Sequence, residues 1–148
     1  MTYPNKVPHW IGDEEIQEEG IFIKFNPATG EKISSMPECG QSKNDAIVLS
    51  ETAFKKWSEM PVVRRGEILR QAAKLMESRV QEIAEIVALE TGKSPKDATG
   101  EAQAAIELGY FIAGEGRRFY GQTTTSAVPN RFAYTIRQPV GICALITS

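Results

Sequence analysis

The chain has 148 residues, of which 41% are hydrophobic and 24% charged, a globular composition long enough for one ordinary domain. Against 19 Asp and Glu, 17 Lys and Arg leave a net charge of −2, which excludes a general attraction to nucleic acid or anionic membrane. No run approaches the roughly 20 apolar residues of a membrane span, and the opening MTYPNKVPHW lacks the basic start and apolar core of a signal peptide.

Two cysteines about 100 residues apart make neither a disulfide framework nor a CxxC metal site. A reducing, cytoplasmic setting is the expectation. The acidic cluster Asp13, Glu14, Glu15, Glu18 and Glu19 reads as a solvated segment; the competing reading is a cation site.

The first strand signal is Gly20 to Phe25, where Ile21, Ile23 and Phe25 alternate with Phe22 and Lys24. Asn26-Pro27-Ala28-Thr29-Gly30 is a turn, since proline fixes one dihedral and glycine permits positive φ. Glu31 to Met36 is the returning strand. Helical periodicity comes next. One helix opens at Ser42-Lys43-Asn44-Asp45, a capping-box-like start, with Ala46, Leu49, Ala53 and Trp57 on one face and Phe54 beside them. The next begins after Pro61 and has Ile68, Leu69, Ala72, Leu75 and Met76 as its inner stripe. A third starts at a Ser78/Gln81 capping box, carries Val80, Ile83, Ala84, Val87 and Ala88 inward, and stops at Gly92 as an αL cap.

A fourth helix has Ser94 as N-cap, Pro95 as first residue and Asp97 near its positive end. Its inner face is Ala98, Ala102, Ala105, Gly109 and Ile112. So little bulk permits a close neighbour, and Gly109, at a cost of about 1 kcal/mol in helix propensity, points to tight packing. Beyond Phe119, Thr123-Thr124-Thr125 reads as strand, Pro129-Asn130 as turn, and Phe132, Tyr134 and Ile136 alternate as a second strand. A lone ribbon is marginal in water, so this one should pack on something. The chain finishes on Ile142-Cys143-Ala144-Leu145-Ile146, an apolar run that suits a strand buried on both faces of a parallel sheet.

Several residues, taken together and in order, carry a family resemblance. They are Asn26-Pro27-Ala28-Thr29-Gly30-Glu31, Ala53-Phe54 with Trp57, Arg65, Leu89-Glu90-Thr91-Gly92-Lys93, Gly100-Glu101, and Arg137-Gln138-Pro139-Val140-Gly141-Ile142 running to Ile146-Thr147. From about residue 20 to 148 the chain resembles the N-terminal part of the aldehyde dehydrogenase superfamily. The resemblance implies an α/β fold: an N-terminal β-hairpin, a helical bundle layer, a bridging β-ribbon and the first strand of an incomplete Rossmann-like parallel sheet. Residues 1–120 would be the hairpin and helices of the cofactor-binding domain, 121–138 the oligomerisation ribbon, and 139–148 the first strand of the cofactor sheet.

Family members oxidise an aldehyde to a carboxylic acid with NAD or NADP. A cysteine thiolate attacks the carbonyl, hydride leaves for the nicotinamide, and a glutamate base activates water against the thioester. In the family that cysteine and glutamate, the lysine at the cofactor ribose and the oxyanion-hole asparagine lie well beyond residue 148. No catalytic residue is therefore carried over, and the chain alone is expected to be inactive. What carries over is the strand end: Ile146, Thr147 and Ser148 as cofactor contacts, a placement consistent with ligands binding at the carboxyl ends of α/β strands. Many members have proline where this chain has Ser148. The resemblance implies an aldehyde substrate and a homodimer or homotetramer through the 121–138 ribbon; charge, hydropathy and residue spacing add the expectation of no nucleic acid, membrane or metal partner.

Other motifs read more plainly. Cys39 and Cys143 match no catalytic-cysteine motif and are expected to be unreactive, as buried small hydrophobes commonly are. His9 is expected in solvent, and one histidine with two distant cysteines makes no zinc site. Gly92-Lys93-Ser94 is not a P-loop, because Val87 stands where its first glycine belongs. Gly114-Glu115-Gly116 is not a dinucleotide fingerprint, because Phe119 replaces its third glycine. Arg117-Arg118 reads as a surface or interface pair, with phosphate binding the alternative. Tyr110, Phe111, Phe119, Tyr120, Phe132 and Tyr134 read as packing or interface aromatics, with a ligand stack the alternative.

Besides the enzyme reading, two others stand: a non-catalytic interaction or assembly module, and an unrelated helical domain. The codons after Ser148 discriminate among them, since an Asn-x-Pro-like continuation and a later Gly-Gln-x-Cys would secure the enzyme.

Overall fold

The computed structural model describes residues 3–17 and 20–147. Its helices are α1 (Ser42–Glu59), α2 (Val62–Ser78), α3 (Val80–Thr91) and α4 (Pro95–Gly114), the last running into a 3-10 turn, Glu115–Arg117. Helix α4 is central and packs against both α2 and α3. The α2 and α4 backbones nearly touch: a Cβ on Gly66 would lie 2.4 Å from the carbonyl oxygen of Ala113, and one on Gly109 would lie 3.2 Å from the Ala73 methyl. The close neighbour expected from Gly109 is therefore α2.

The buried line on α4 is Ala98, Ala102, Ile106 and Ala113, with Gly109 half-buried. Ala105 and Ile112, expected inside, are exposed. Both lines have helical spacing, and local pattern does not choose between them. The choice is made by α2, whose Gly66 and Ala73 demand small groups opposite. The same pairing turns α2 the other way from expectation. Ala73 is buried, while Ile68, Leu69, Ala72, Leu75 and Met76 are exposed. On α1, Leu49, Ala53 and Trp57 are likewise exposed, with Ala46 and Phe54 half-buried. Helix α3 keeps its expected face: Ala84 is buried and Val80, Ile83, Val87 and Ala88 are half-buried.

Helix ends divide in the same manner. The Ser94 hydroxyl accepts from the Asp97 amide at 3.2 Å, with Pro95 in the first turn, as expected. Gly92 ends α3 at φ 72°. The expected starts at Ser42 and Ser78 are placed differently. Ser42 is buried as the first residue of α1 behind an uncapped Gln41. Ser78 closes α2 and gives its hydroxyl to the Leu75 carbonyl at 2.7 Å, an alternative that a serine inside a helix always has.

The strands form separate two-stranded antiparallel sheets: β1 (His9–Ile11) with β2 (Glu14–Ile16), β3 (Ile21–Phe25) with β4 (Lys32–Pro37), and β5 (Thr123–Thr124) with β6 (Ala133–Tyr134). The first hairpin was not expected. Gly12 and Asp13, at φ 61° and 67°, make the two-residue left-handed turn that hairpins favour, and the acidic cluster falls on it as far as Glu15; Glu18 and Glu19 lie outside the described residues. The NPATG turn forms as expected, with the Gly30 amide bonded to the Asn26 carbonyl at 2.8 Å. Its hairpin turns the apolar side chains of β3 outward, and Ser34, Ser35 and Pro37 of β4 are the buried ones.

The ribbon lies within residues 121–138 and is held by the Thr135 amide on the Gln122 carbonyl at 2.8 Å. Residues 139–147, expected as a strand, form none here. Strand structure is a property of a hydrogen-bonded pair, and no described segment lies beside this one to supply the ladder.

Candidate functional site

Of the candidate cofactor contacts, Ile146 is 97% exposed and Thr147 is exposed, while Ser148 lies outside the described residues. The structure brings neither against another site residue. Cys39 and Cys143, expected buried, are both exposed and unpaired. The Cys39 sulfur lies 3.9 Å from the Ser42 hydroxyl, and the Cys143 thiol faces only the Gly141 carbonyl, also at 3.9 Å. His9, expected in solvent, is half-buried in β1, with Nε2 3.4 Å from the Glu38 carbonyl oxygen. Among the described residues no group of His, Cys, Asp or Glu is placed to hold a metal ion.

The aromatics do not gather into one stack. Tyr110 donates to Glu77 at 2.7 Å under the Arg70 guanidinium, Arg118 lies over Phe111, Arg137 lies over Phe119, and Phe132 pairs with Tyr134 at 5.7 Å. Arg118 is committed to Glu115 at 2.5 Å, which fits the surface reading of Arg117-Arg118 rather than a phosphate site. The glycines at 114 and 116 sit where α4 ends, as helix termination required.

The family motifs converge instead on one corner. Glu90, at the end of α3, receives the Tyr3 hydroxyl on Oε1 and the Lys24 ammonium on Oε2, the latter at 3.8 Å. Burial first, then the Glu90 hydrogen bond and charge, push the Tyr3 hydroxyl pKa up to about 12. Two residues on, Gly92 lies against the NPATG turn: a Cβ there would be 3.2 Å from Ala28 and from Pro27. Lys93 is ion-paired with Glu101, joining the Leu-Glu-Thr-Gly-Lys and Gly-Glu motifs. A cavity of about 340 Å³ opens here between Asn26, Ala28, Glu85, Leu89 and Lys93. Sequence reading missed Tyr3 and Lys24. The available signal was a lysine on the opposite side of β3 from its apolar neighbours.

A second groove, of about 360 Å³, runs between α2 and α4. Trp57, Ile68, Leu69, Ile112 and Phe119 line it together with Arg65, whose Nε is buried with no hydrogen-bond partner. This corner and groove stabilise and present surfaces; neither places a nucleophile beside a base.

Known proteins match this geometry. The chain is 36% identical over 140 residues to a non-phosphorylating aspartate-semialdehyde dehydrogenase of Halomonas elongata, covering 93% of this chain and 28% of that protein. It is 34% identical over 150 residues to malonate-semialdehyde dehydrogenase 2 of Oceanobacillus iheyensis, covering 99% and 31%. A crystal structure of aldehyde dehydrogenase from Brucella melitensis biovar abortus 2308 superposes with a TM-score of 0.79 at 28% identity, over 88% of this chain and 28% of that one. The chain thus spans less than a third of the length of these relatives. The model of the aldehyde dehydrogenase family matches residues 10–148, some ten residues earlier than the motifs alone had indicated. From Trp10 of β1 onward, that match takes in the two N-terminal hairpins, every helix of the described residues and the ribbon, and by it the chain belongs to the aldehyde dehydrogenase family.

Proposed function

We propose that the polypeptide containing these residues is an NAD(P)-dependent oxidoreductase that oxidises an aldehyde to a carboxylic acid through a cysteine thiohemiacetal. The observation that carries this reading is the family match over residues 10–148, joined to relatives whose names are semialdehyde dehydrogenases. In this reading residues 1–120 are the hairpins and helices of the cofactor-binding domain, 121–138 the ribbon that bridges subunits of a homodimer or homotetramer, and 139–148 the first strand of the cofactor sheet. Exposed Phe132, Tyr134 and Ile136 support the ribbon's role, because a two-stranded ribbon with bare aromatics calls for a partner surface. Val140, Leu145 and Ile146, also exposed, support the strand's, since such a run belongs between helical layers. Two unpaired cysteines support a cytoplasmic setting.

A bound nicotinamide nucleotide would supply the hydride acceptor. The described residues fit it only at one edge. Ile146 and Thr147, with Ser148 beyond them, offer backbone groups and a hydroxyl, and no described glycine-rich turn or ribose-reading acid stands beside them. No step of the chemistry is therefore assigned to this chain. Cys39 and Cys143, both exposed, are not assigned the role of nucleophile in this reading.

The test is to assay the polypeptide encoded by the whole reading frame with NAD and NADP against an aldehyde panel that includes semialdehydes. Reduced cofactor is expected. A folded product that neither binds a nicotinamide nucleotide nor oxidises any aldehyde overturns the proposal. The 148-residue chain alone is expected to give no reduced cofactor above background. Turnover by that chain would place the chemistry on residues read here as inert.

A further inference from the structure

The edge of β4 is closed by a piece of chain that lies ahead of the family match. Residues 3–7 run beside it, with Lys6 bridged in parallel to Ser35. The Ser35 amide donates to the Asn5 carbonyl at 3.0 Å, and the Val7 amide donates to the Ser35 carbonyl at 3.0 Å. The two buried serines of β4 depend on the same segment. Ser34, 0% exposed, gives its hydroxyl to the Pro4 carbonyl at 2.8 Å, and Ser35, 8% exposed, gives its hydroxyl to the Asn5 carbonyl at 3.2 Å. A buried hydroxyl without an acceptor is costly, so apolar residues would serve this hairpin better if the segment were absent. Tyr3 then reaches across to Glu90, and Tyr3 and Pro4 line a small cavity with Ile86 and Leu89 of α3. Pro4 and Pro8 bracket the paired stretch and have no amide to offer on its outer edge, which stops further strand addition.

We propose that residues 3–7 are an intramolecular strap: a third strand that closes the β4 edge and ties the β3–β4 hairpin to the end of α3. The β4 edge is accordingly a strand-accepting surface whose occupant is this segment. Its recognition is backbone pairing plus one tyrosine hydroxyl on a carboxylate.

The experiment compares amide hydrogen exchange in the intact 148-residue chain, a variant lacking residues 1–7, and full-length Val7→Pro, which removes the Val7 donor. Exchange at Ser35 is expected to quicken about tenfold or more in both variants, as loss of one or two backbone bonds implies, with α4 amides unchanged. A synthetic peptide of residues 1–8 added to the deletion variant is expected to restore Ser35 protection saturably, and less well with Tyr3→Phe. If deletion unfolds the chain altogether, Val7→Pro decides. Unchanged exchange at Ser35, or acceleration spread evenly over all helices, overturns the strap.

Discussion

Gly66 and Gly109 face the same interhelical seam, and the atoms opposite them predict outcomes of different size. A methyl on Gly66 meets a backbone carbonyl at 2.4 Å, which neither helix can move without the other. Gly66→Ala is expected to destabilise by about 1–3 kcal/mol, the usual cost of overpacking, despite the propensity gain. A methyl on Gly109 meets only the Ala73 methyl at 3.2 Å, so Gly109→Ala is expected within about 1 kcal/mol of the parent. Denaturant melts of the two variants check this, and a Gly66→Ala protein as stable as the parent would contradict it. Tyr3 gives a pH signature. Its pKa rises from 10.0 to about 12 on folding, so its contribution is whole below pH 10.0 and lost as pH climbs through about 12. Stability should fall more steeply between those values in the parent than in Tyr3→Phe. Parallel curves would remove Tyr3 from the account. Tyr110 shifts in the same direction, and the difference between parent and variant cancels it.

At the level of elements, Ser94 and Ser78 looked alike as helix starts, and only one is. Ser94→Ala is expected to cost about 1 kcal/mol, the usual value of a lost N-cap. Ser78→Ala should stay within about 0.5 kcal/mol, since its hydroxyl merely turns back on its own helix. Equal losses in thermal melts would show that the cap geometry has been misassigned. Signals that act within a few residues were legible in the sequence: Ser94 with Pro95, the αL stop at Gly92, the NPATG turn and the inner face of α3. The inner faces of α1 and α2 were not. Amphipathic periodicity marks an apolar stripe but not what lies against it, and here a small-residue seam takes the packing instead. Of the site, the motifs at Glu90, Gly92, Lys93 and Glu101 were visible as residues. Their convergence with Tyr3 and Lys24 was not, because it crosses 87 residues of chain between Tyr3 and Glu90.

Across the whole molecule, apolar surface faces outward on several sides at once: Ile68, Leu75 and Met76 on α2, Phe132 and Ile136 on the ribbon, and Val140 to Ile146 beyond it. Apolar exposure of this extent marks interfaces and promotes association. The 148-residue chain is expected to bind a hydrophobic dye and to associate with rising concentration, as read by light scattering. A monodisperse, dye-silent monomer would show that these surfaces are covered within the chain itself. Helices α2 and α4 meet backbone to backbone, so sliding one past the other would drive a carbonyl into a Cα, and they must travel as a single slab. Helix α1 runs into α2 through Met60 and Pro61, both extended at ψ 132° and 135°, and it also packs on β1 and lends Trp57 to the groove beside α2 and α4. Bending of this layer is therefore expected first at that two-residue joint, and α1 amides should relax on a timescale apart from those of α2 and α4.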